Sequence, residues 1–303
     1  MKKVKIPHHT HTLSALLITG ALLIVTWGGS TALVALEHTP QLAAVSFATT
    51  PILSDVAVSA RAAVVFDPRD GSILYAKNAN EVLPLASVTK LMTAEILLTA
   101  QNPDTSITVS PQALAVKADA ADEGFAVGDS TTLDQLIRIG LVASSNVAIQ
   151  AAAESLGEHY LERMNEVASN LGLLNTHFYN PTGLDTNGKN SGAYSSAYDV
   201  ARLASLFYKQ NPEYFTLTRQ PIVSITVGKK TLSAKATAVP LSSIPGFIGA
   251  KTGYTDLAGG NVVAVFDIEI GHPIVVVILG STRDGRFSDV ATLISALRTH
   301  PSL

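Results

Sequence analysis

The sequence contains no cysteine among its 303 residues. This absence excludes disulfide bonds, thiol catalysis and cysteine-ligated metal sites, and it leaves the compartment open because a chain without thiols is safe in either redox setting. A surplus of positive charge is also missing, since the formal net charge is −3, and we expect no nucleic acid partner. His8, His9 and His11 resemble a metal-binding tract, but they lie in a short tip ahead of an apolar segment. We therefore predict no metal site and no cofactor.

Charge is absent again from Leu13 to Leu36, a run of 24 residues dominated by Leu, Ile, Ala and Val. Such a run is long enough to cross a bilayer, and the lysines ahead of it place the rest of the chain outside the cytoplasm. A cleaved secretory signal is the alternative, but Ala32–Ala35 offers only a weak cleavage site. We predict that residues 1–36 form an uncleaved membrane anchor in preference to a signal segment, and that residues 37–59 form a tether.

The pattern of residues 60–303 predicts an α+β domain. Two β-rich runs at 62–66 and 72–75 flank an Asp/Pro/Gly turn and predict a hairpin. Caps and glycine stops predict several helices in the middle of the chain. Further strand-like runs lie at 222–227, 247–255, 261–266 and 274–280. Strands at both ends of the domain predict an antiparallel sheet, with a helical subdomain inserted at about residues 105–210.

The first candidate for chemistry is the pair Ser87 and Lys90, which follows Pro84 at the start of an apolar run. This pattern fits a turn followed by a helix, where residues three apart share one face, so the Lys90 amine is expected to reach the Ser87 hydroxyl. A serine hydroxyl needs a base, and lysine is a base only when burial or nearby positive charge keeps its amine neutral. Alone, the pattern also fits a helix cap followed by a surface lysine.

Two further polar groups are candidates. Ser144-Ser145-Asn146 lies between two predicted helices, where the Ser144 hydroxyl can shuttle a proton and the Asn146 carboxamide can bind a peptide-like amide. The same residues also fit a helix end and a helix cap. Lys251-Thr252-Gly253 lies on a predicted strand and offers a fixed positive charge, a hydroxyl and a close backbone approach. Such an edge can pair with an extended peptide. Alternatively, it is an ordinary edge strand whose lysine prevents pairing with other chains.

In this order, the three motifs are the set found in penicillin-binding proteins and class A β-lactamases. Over about residues 60–298 the chain resembles the D-alanyl-D-alanine carboxypeptidase family of low-molecular-mass penicillin-binding proteins. The similar stretches include Ala86–Ala94, Asn180–Leu184, Tyr194–Asp199, Lys251–Thr255 and Leu279–Gly280. The resemblance implies an antiparallel five-stranded sheet flanked by helices with an all-helical insert, of the penicillin-binding/β-lactamase-like type. It also implies a serine carboxypeptidase that acts on peptidoglycan stem peptides, is inhibited by β-lactams and needs no cofactor.

The resemblance implies the catalytic roles as well. Ser87 is expected to attack the carbonyl of the penultimate D-alanine, and Lys90 to take the Ser87 proton. Ser144 is expected to relay a proton to the leaving D-alanine, with the charge of Lys251 making its hydroxyl more acidic. The backbone N–H groups of Ser87 and Tyr254 form the expected oxyanion hole.

Substrate-binding roles follow from the same resemblance. Asn146 is expected to hold a substrate amide, while Thr252 and Arg286 are expected to bind the terminal carboxylate. Gly253 and Tyr254 complete the expected binding strand. Two departures from the family pattern stand out: 192–194 lacks the histidine that many relatives place before the tyrosine, and a C-terminal β-domain with an amphipathic anchor is not found. The N-terminal segment is expected to replace that anchor.

Three alternatives remain open. A D,D-endopeptidase that cuts peptidoglycan cross-links would use the same residues. A β-lactamase is disfavoured because Ser145 stands where those enzymes carry Asp and because no clear Glu-rich loop lies between Ser144 and Lys251. A catalytically silent β-lactam or peptidoglycan sensor is disfavoured by the intact Ser87 and Lys90 and by the lack of room for a signalling domain.

Overall fold

Three consecutive strands of nine residues each, near the end of the chain, make up most of the main sheet. This computed structural model describes residues 51–116 and 119–300. The strands are β1 Ala62–Phe66, β2 Ile73–Lys77, β3 Leu83–Pro84, β4 Ser106–Thr108, β5 Ser130–Thr132, β6 His177–Phe178, β7 Ala193–Ser195, β8 Ile222–Val227, β9 Lys230–Lys235, β10 Phe247–Thr255, β11 Gly259–Asp267 and β12 Pro273–Ser281. The helices are α1 Lys90–Ala100, α2 Pro111–Leu114, α3 Leu133–Val142, α4 Asn146–Glu154, α5 Tyr160–Asn170, α6 Ala197–Gln210, α7 Pro212–Leu217 and α8 Gly285–Thr299. Short 3₁₀ helices lie at Ala86–Thr89, Ala120–Asp122 and Val239–Leu241.

The central sheet has five antiparallel strands in the order β10-β11-β12-β1-β2, as the resemblance implied. Side chains of β1 alternate between two cores because successive residues of a strand point to opposite faces. Ala62 and Val64 pack into the core on the helical side, whereas Ala63 and Val65 pack into the core that includes residues of α8. Burial on both faces explains the continuous aliphatic runs of β11 and β12.

Two helices of the middle region, α3 and α6, begin at caps that the sequence predicts, Thr132 and Ser196. The Thr132 hydroxyl accepts a hydrogen bond from the Gln135 amide at 3.3 Å, and the Ser196 hydroxyl accepts one from the Asp199 amide at 3.1 Å. The expectation of an all-helical insert was wrong, because residues 105–210 also contain β4 to β7. Strand β4 overlaps residues 107–110, which the sequence predicts to be a short strand or extended piece. Strands β5 to β7 have two or three residues each, too few to produce a recognisable alternation. Strand β9 was not predicted because only two of its six residues, Leu232 and Ala234, are apolar, and both are only half-buried.

The segment before β1 follows the outer edge of β2. The Leu53 amide donates to the Leu74 carbonyl oxygen at 3.0 Å, and the Tyr75 hydroxyl donates to the Val56 carbonyl oxygen at 2.9 Å. Across the described ranges, none of the helices has the length and apolarity needed to span a membrane. The predicted anchor at residues 1–36, with His8, His9 and His11, lies outside those ranges, and the proposed domain limits stay predictions.

Candidate active site

A strained turn presents Ser87. Ala86 has a φ of +49°, in the left-handed region that non-glycine residues rarely adopt. Gly183 packs against this turn so closely that a Cβ there would lie 1.9 Å from the Ala86 carbonyl oxygen. In α1, which follows this turn, the Thr93 hydroxyl donates to the Pro181 carbonyl oxygen at 2.7 Å. The Asn180–Leu184 stretch therefore supports the turn and the start of α1.

Lys90 lies one helical turn after Ser87, as predicted, and is fully buried. Its Nζ is 2.7 Å from Ser87 Oγ, 2.8 Å from the Ser144 carbonyl oxygen, 2.8 Å from Asn146 Oδ1 and 3.2 Å from Ser144 Oγ. Burial lowers the pKa of Lys90 to about 7, against the opposing effect of Asp122 and Asp119.

These contacts set the direction of the Ser87–Lys90 hydrogen bond. A neutral amine has two N–H donors and one lone pair. The Ser144 carbonyl oxygen and Asn146 Oδ1 can only accept hydrogen bonds, so they take both donors of Lys90. The lone pair is then left for the Ser87 hydroxyl, which donates to it across 2.7 Å. The arrangement suits proton transfer from Ser87 to Lys90.

Ser144 joins the two lysines of the site. It has a φ of +68°, and this backbone conformation brings its carbonyl oxygen to Lys90. Its Oγ lies 2.9 Å from Lys251 Nζ, which also donates to the Thr252 carbonyl oxygen at 2.8 Å. Burial, followed by the nearby Lys90 and Arg286, lowers the pKa of Lys251 well below its ordinary value. This disfavours the fixed positive charge that the sequence predicted at Lys251.

Asn146 has hydrogen bonds at both ends of its amide. Its Oδ1 accepts from Lys90, and its Nδ2 donates to Asp119 Oδ2 at 2.9 Å. The side chain is fully buried. Its contacts with the protein therefore bring it beside Ser144 and Lys90, and its expected contact with a substrate amide remains a prediction.

Strand β10 and the start of α8 form the other wall of a cleft with a volume of about 620 Å³. Thr252 donates a hydrogen bond from its hydroxyl to Thr237 Oγ1 at 2.6 Å. A Cβ on Gly253 would lie 3.0 Å from the Ser87 amide nitrogen, so only a narrow gap separates β10 from the turn that presents Ser87. The cleft is lined by Ser87, Ser144, Thr252, Gly253, Tyr254 and Arg286, together with Asp119, Lys235, Thr237, Arg283 and four alanines.

Arg286 is buried in this cleft, and its Nη1 donates to the Gly253 carbonyl oxygen at 2.6 Å. Its Nε is buried without a hydrogen-bond partner. Burial, with a smaller contribution from Arg283, lowers the pKa of Arg286 to about 10. The guanidinium of Arg283 stacks on the Tyr254 ring at 3.8 Å from its centroid. This wall thus offers two guanidinium groups to an anionic ligand.

The structure brings the three predicted motifs together. Four further residues of this region were not predicted from the sequence: Asp119, Asp122, Thr237 and Arg283. Asp119 and Asp122 lie at the two ends of a 3₁₀ segment too short to show periodicity, and Thr237 lies beyond the end of β9, where its partner is Thr252 on β10. Arg283 had one weak signal, its spacing of three residues from Arg286 at the start of a predicted helix. Among the residues that the structure describes, no group of three or more potential metal ligands is found.

Comparison with known proteins gives a family match over most of the chain. Residues 47–283 match the family model described as D-alanyl-D-alanine carboxypeptidase. The chain is 32% identical to D-alanyl-D-alanine carboxypeptidase DacF of Bacillus subtilis, over 82% of this chain and 65% of that protein. It is 29% identical to the D-alanyl-D-alanine endopeptidase of Pseudomonas aeruginosa, over 78% of this chain and 76% of that protein. For three of the relatives named D-alanyl-D-alanine carboxypeptidases, this chain spans only 56 to 65% of the relative's length.

Solved structures with the same fold include β-lactam complexes. Penicillin-binding protein D2 of Listeria monocytogenes in its ampicillin-bound form is 29% identical, with a TM-score of 0.70 over 78% of this chain and 97% of that chain. The D-alanyl-D-alanine carboxypeptidase of Mycobacterium tuberculosis is 25% identical, with a TM-score of 0.74 over 84% of this chain and 97% of that chain.

Proposed function

The chain belongs to the D-alanyl-D-alanine carboxypeptidase family, and from this membership we propose that it removes the terminal D-alanine from peptidoglycan stem peptides through an acyl-enzyme. The observation that carries the proposal is the buried amine of Lys90, whose Nζ lies 2.7 Å from Ser87 Oγ. Its two other short contacts are with obligate acceptors, so its lone pair is directed at the hydroxyl that must lose a proton.

Acylation begins when Ser87 Oγ bonds to the carbonyl carbon of the penultimate D-alanine and its proton moves to Lys90 Nζ. The backbone N–H groups of Ser87 and Tyr254 stabilise the resulting oxyanion, each donor contributing about 3 kcal/mol. The C–N bond then breaks, and the leaving nitrogen takes the proton from Lys90 through the hydroxyl of Ser144, which lies 3.2 Å from Lys90 Nζ and also hydrogen-bonds to Lys251. Lys90 is then neutral again. Free D-alanine leaves, and the shortened peptide is held as an ester on Ser87.

Deacylation repeats these steps with water. The water oxygen bonds to the ester carbon, its proton passes to Lys90, and the Ser87 oxygen recovers a proton as the peptide leaves. Thr252 and Arg286 bind the substrate's terminal carboxylate in this proposal, since both line the cleft and Arg286 Nε is buried without a partner. The ampicillin-bound relative supports β-lactams as inhibitors that acylate Ser87.

A D,D-endopeptidase acting on cross-linked stem peptides is the second candidate. One specific observation favours it: a relative named an endopeptidase matches this chain over about three quarters of both proteins, as a similarly sized protein would. The same Ser87, Lys90 and Ser144 would act, because the two reactions differ only in the amine that leaves.

The location follows from the proposed substrate. Peptidoglycan lies outside the cytoplasmic membrane, so the enzyme domain at 60–303 must face that side. We propose that residues 1–36 anchor it there and that residues 37–59 act as the tether. Release of the full-length protein from membranes by detergent, and not by high salt, would support the anchor.

A single assay tests the activity and separates the two candidates. Full-length protein is incubated with a monomeric pentapeptide muropeptide or with a cross-linked dimer, and products are identified by mass spectrometry. D-Alanine release from the pentapeptide alone supports the carboxypeptidase, whereas dimer cleavage supports the endopeptidase. The Ser87→Ala variant should be inactive and should form no covalent penicillin adduct. An adduct on that variant would show that Ser87 is not the nucleophile.

A further inference from the structure

A buried carboxylate lies behind the Ser144–Asn146 loop, outside the cleft lining. Asp122 is 4% exposed. Its Oδ1 accepts from Ser145 Oγ at 2.5 Å and from the Val147 amide at 3.0 Å, and its Oδ2 accepts from the Asp119 amide at 2.9 Å. One side chain therefore ties the 3₁₀ helix at 120–122 to the loop that carries Ser144. The family motifs quoted above do not include this position.

The first consequence concerns the backbone of the loop. Ser144 is held at a φ of +68°, a conformation that isolated serine disfavours. The residues on its C-terminal side are fixed by Asp122, through the Ser145 hydroxyl and the Val147 amide. This brings the Ser144 carbonyl oxygen to 2.8 Å from Lys90 Nζ. Asp122 thus fixes one of the two acceptors of the catalytic amine.

The second consequence concerns the orientation of Asn146. A carboxylate can only accept hydrogen bonds, so Asp119 Oδ2, at 2.9 Å, requires the Nδ2 end of the Asn146 amide. The Oδ1 end must then face Lys90. Asp122 positions Asp119 by accepting from its backbone amide. Asp122 therefore acts on the second acceptor of the amine as well.

We propose that Asp122 is a positioning residue for the Ser87–Lys90 pair: through Ser145 and Asp119 it fixes both acceptors of the Lys90 amine and so directs its lone pair at Ser87. This inference rests on the proposed function, since it assigns Lys90 as the base. In this proposal the carboxylate of Asp122, which does not line the cleft, determines how well the Lys90 amine is oriented.

The charge of Asp122 adds an effect that a purely structural residue would lack. The charged groups that face Lys90 are Asp122 of the 3₁₀ helix, Asp119 just before that helix, and Lys251 of β10, with which Lys90 interacts. Burial is the largest influence and lowers the pKa of Lys90, while the two carboxylates raise it. Neutralising either carboxylate should therefore move the pKa of Lys90 further down. Acylation should then persist to lower pH, although its maximum rate is reduced.

The test measures the second-order rate of penicillin acylation of full-length protein from pH 5 to 9, with the folded fraction followed by circular dichroism. For Asp122→Asn we expect the high-pH rate to fall about 10- to 100-fold, the range expected for losing a hydrogen bond to a charged group. We also expect the acidic limb of its pH profile, the range in which the acylation rate falls as the pH is lowered, to lie at lower pH than in the wild type. Because Asp119 is exposed, Asp119→Asn should fold even if Asp122→Asn does not, and its limb should move in the same direction.

Glu123→Gln is the matched control, because it removes one negative charge from an exposed neighbour on the same loop. It should leave the rate and the limb unchanged. The inference is overturned if the acidic limb of Asp122→Asn coincides with that of the wild type. If Asp122→Asn does not fold, the same criterion applies to Asp119→Asn. An equal shift of the limb in Glu123→Gln would also overturn it. A wild type that no penicillin acylates overturns the proposed function and this inference with it. Normal wild-type acylation with unshifted variants overturns this inference alone.

Discussion

The burial of Lys90 predicts a specific pH dependence for acylation of Ser87. An ordinary lysine with a pKa of 10.5 would have about one amine in 3,000 neutral at pH 7, whereas a pKa of about 7 leaves half of them neutral. The difference corresponds to a free energy of about 5 kcal/mol. Because only the neutral amine can accept the Ser87 proton, the acylation rate should follow its fraction. We expect about one tenth of the plateau rate at pH 6 and about one hundredth at pH 5.

The assay is the rate at which a fluorescent penicillin labels full-length protein, measured from pH 5 to 10 at low penicillin concentration, so that the second-order rate constant is obtained. The folded fraction is measured at each pH, because loss of structure in acid would imitate loss of the base. A rate that keeps rising tenfold per pH unit up to pH 10 would mean that Lys90 has an ordinary pKa. A rate that is flat down to pH 5 would mean that Lys90 is not the base. Either result refutes the reasoning.

Two further predictions concern stability. Lys90 is neutral when folded and protonated when unfolded between pH 7 and 10.5. The free energy of unfolding of the wild type should therefore rise by about 3 kcal/mol from pH 7 to pH 10 on account of this residue. The Lys90→Met variant should lack that part of the rise when its unfolding by urea is measured at each pH. If the unfolding free energies of the two proteins rose equally with pH, the neutral state of the buried Lys90 amine would be contradicted. Gly183→Ala should lower the unfolding free energy by at least about 2 kcal/mol, because its Cβ would overlap the Ala86 carbonyl oxygen in a left-handed backbone. Gly188→Ala has open space around its Cβ and should be neutral, so similar losses in both variants would argue against this packing.

Much of the fold could be predicted because its signals are local. The aliphatic runs of β11 and β12, separated by a Gly-His-Pro turn, specify two buried antiparallel strands. The caps at Thr132 and Ser196 mark helix starts within four residues of sequence. The contact of Ser87 with Lys90 is also local, since one turn of helix separates them. The short strands β5 to β7 were not predicted, because their pairing is decided by distant partners and not by their own residues.

The environment of the base could not be predicted, because it is made by contacts between distant parts of the chain. Nothing near Asp122 in the sequence indicates that it binds the Ser145 hydroxyl, 23 residues away. The left-handed backbone of Ala86 was equally hidden, since alanine has no preference for it. The sequence could name the reacting groups, but their protonation states follow from tertiary burial. Lys251 shows the difference: a lysine is charged by default, and only the packed structure reveals why its pKa falls.

The buried amines of Lys90 and Lys251 differ in their charged neighbours, and this difference determines which of them holds a proton more strongly. Both are desolvated, but Lys90 has Asp122 and Asp119 nearby, whereas Lys251 has Lys90 and Arg286 as its principal charged neighbours. A proton taken from Ser87 is therefore held better on Lys90 than on Lys251. Once charged, Lys90 has a third N–H, and Ser144 Oγ lies 3.2 Å from its Nζ. In the proposed mechanism, the charge on Lys90 disfavours a second proton on Lys251, so the proton is passed through Ser144 to the leaving nitrogen of the substrate.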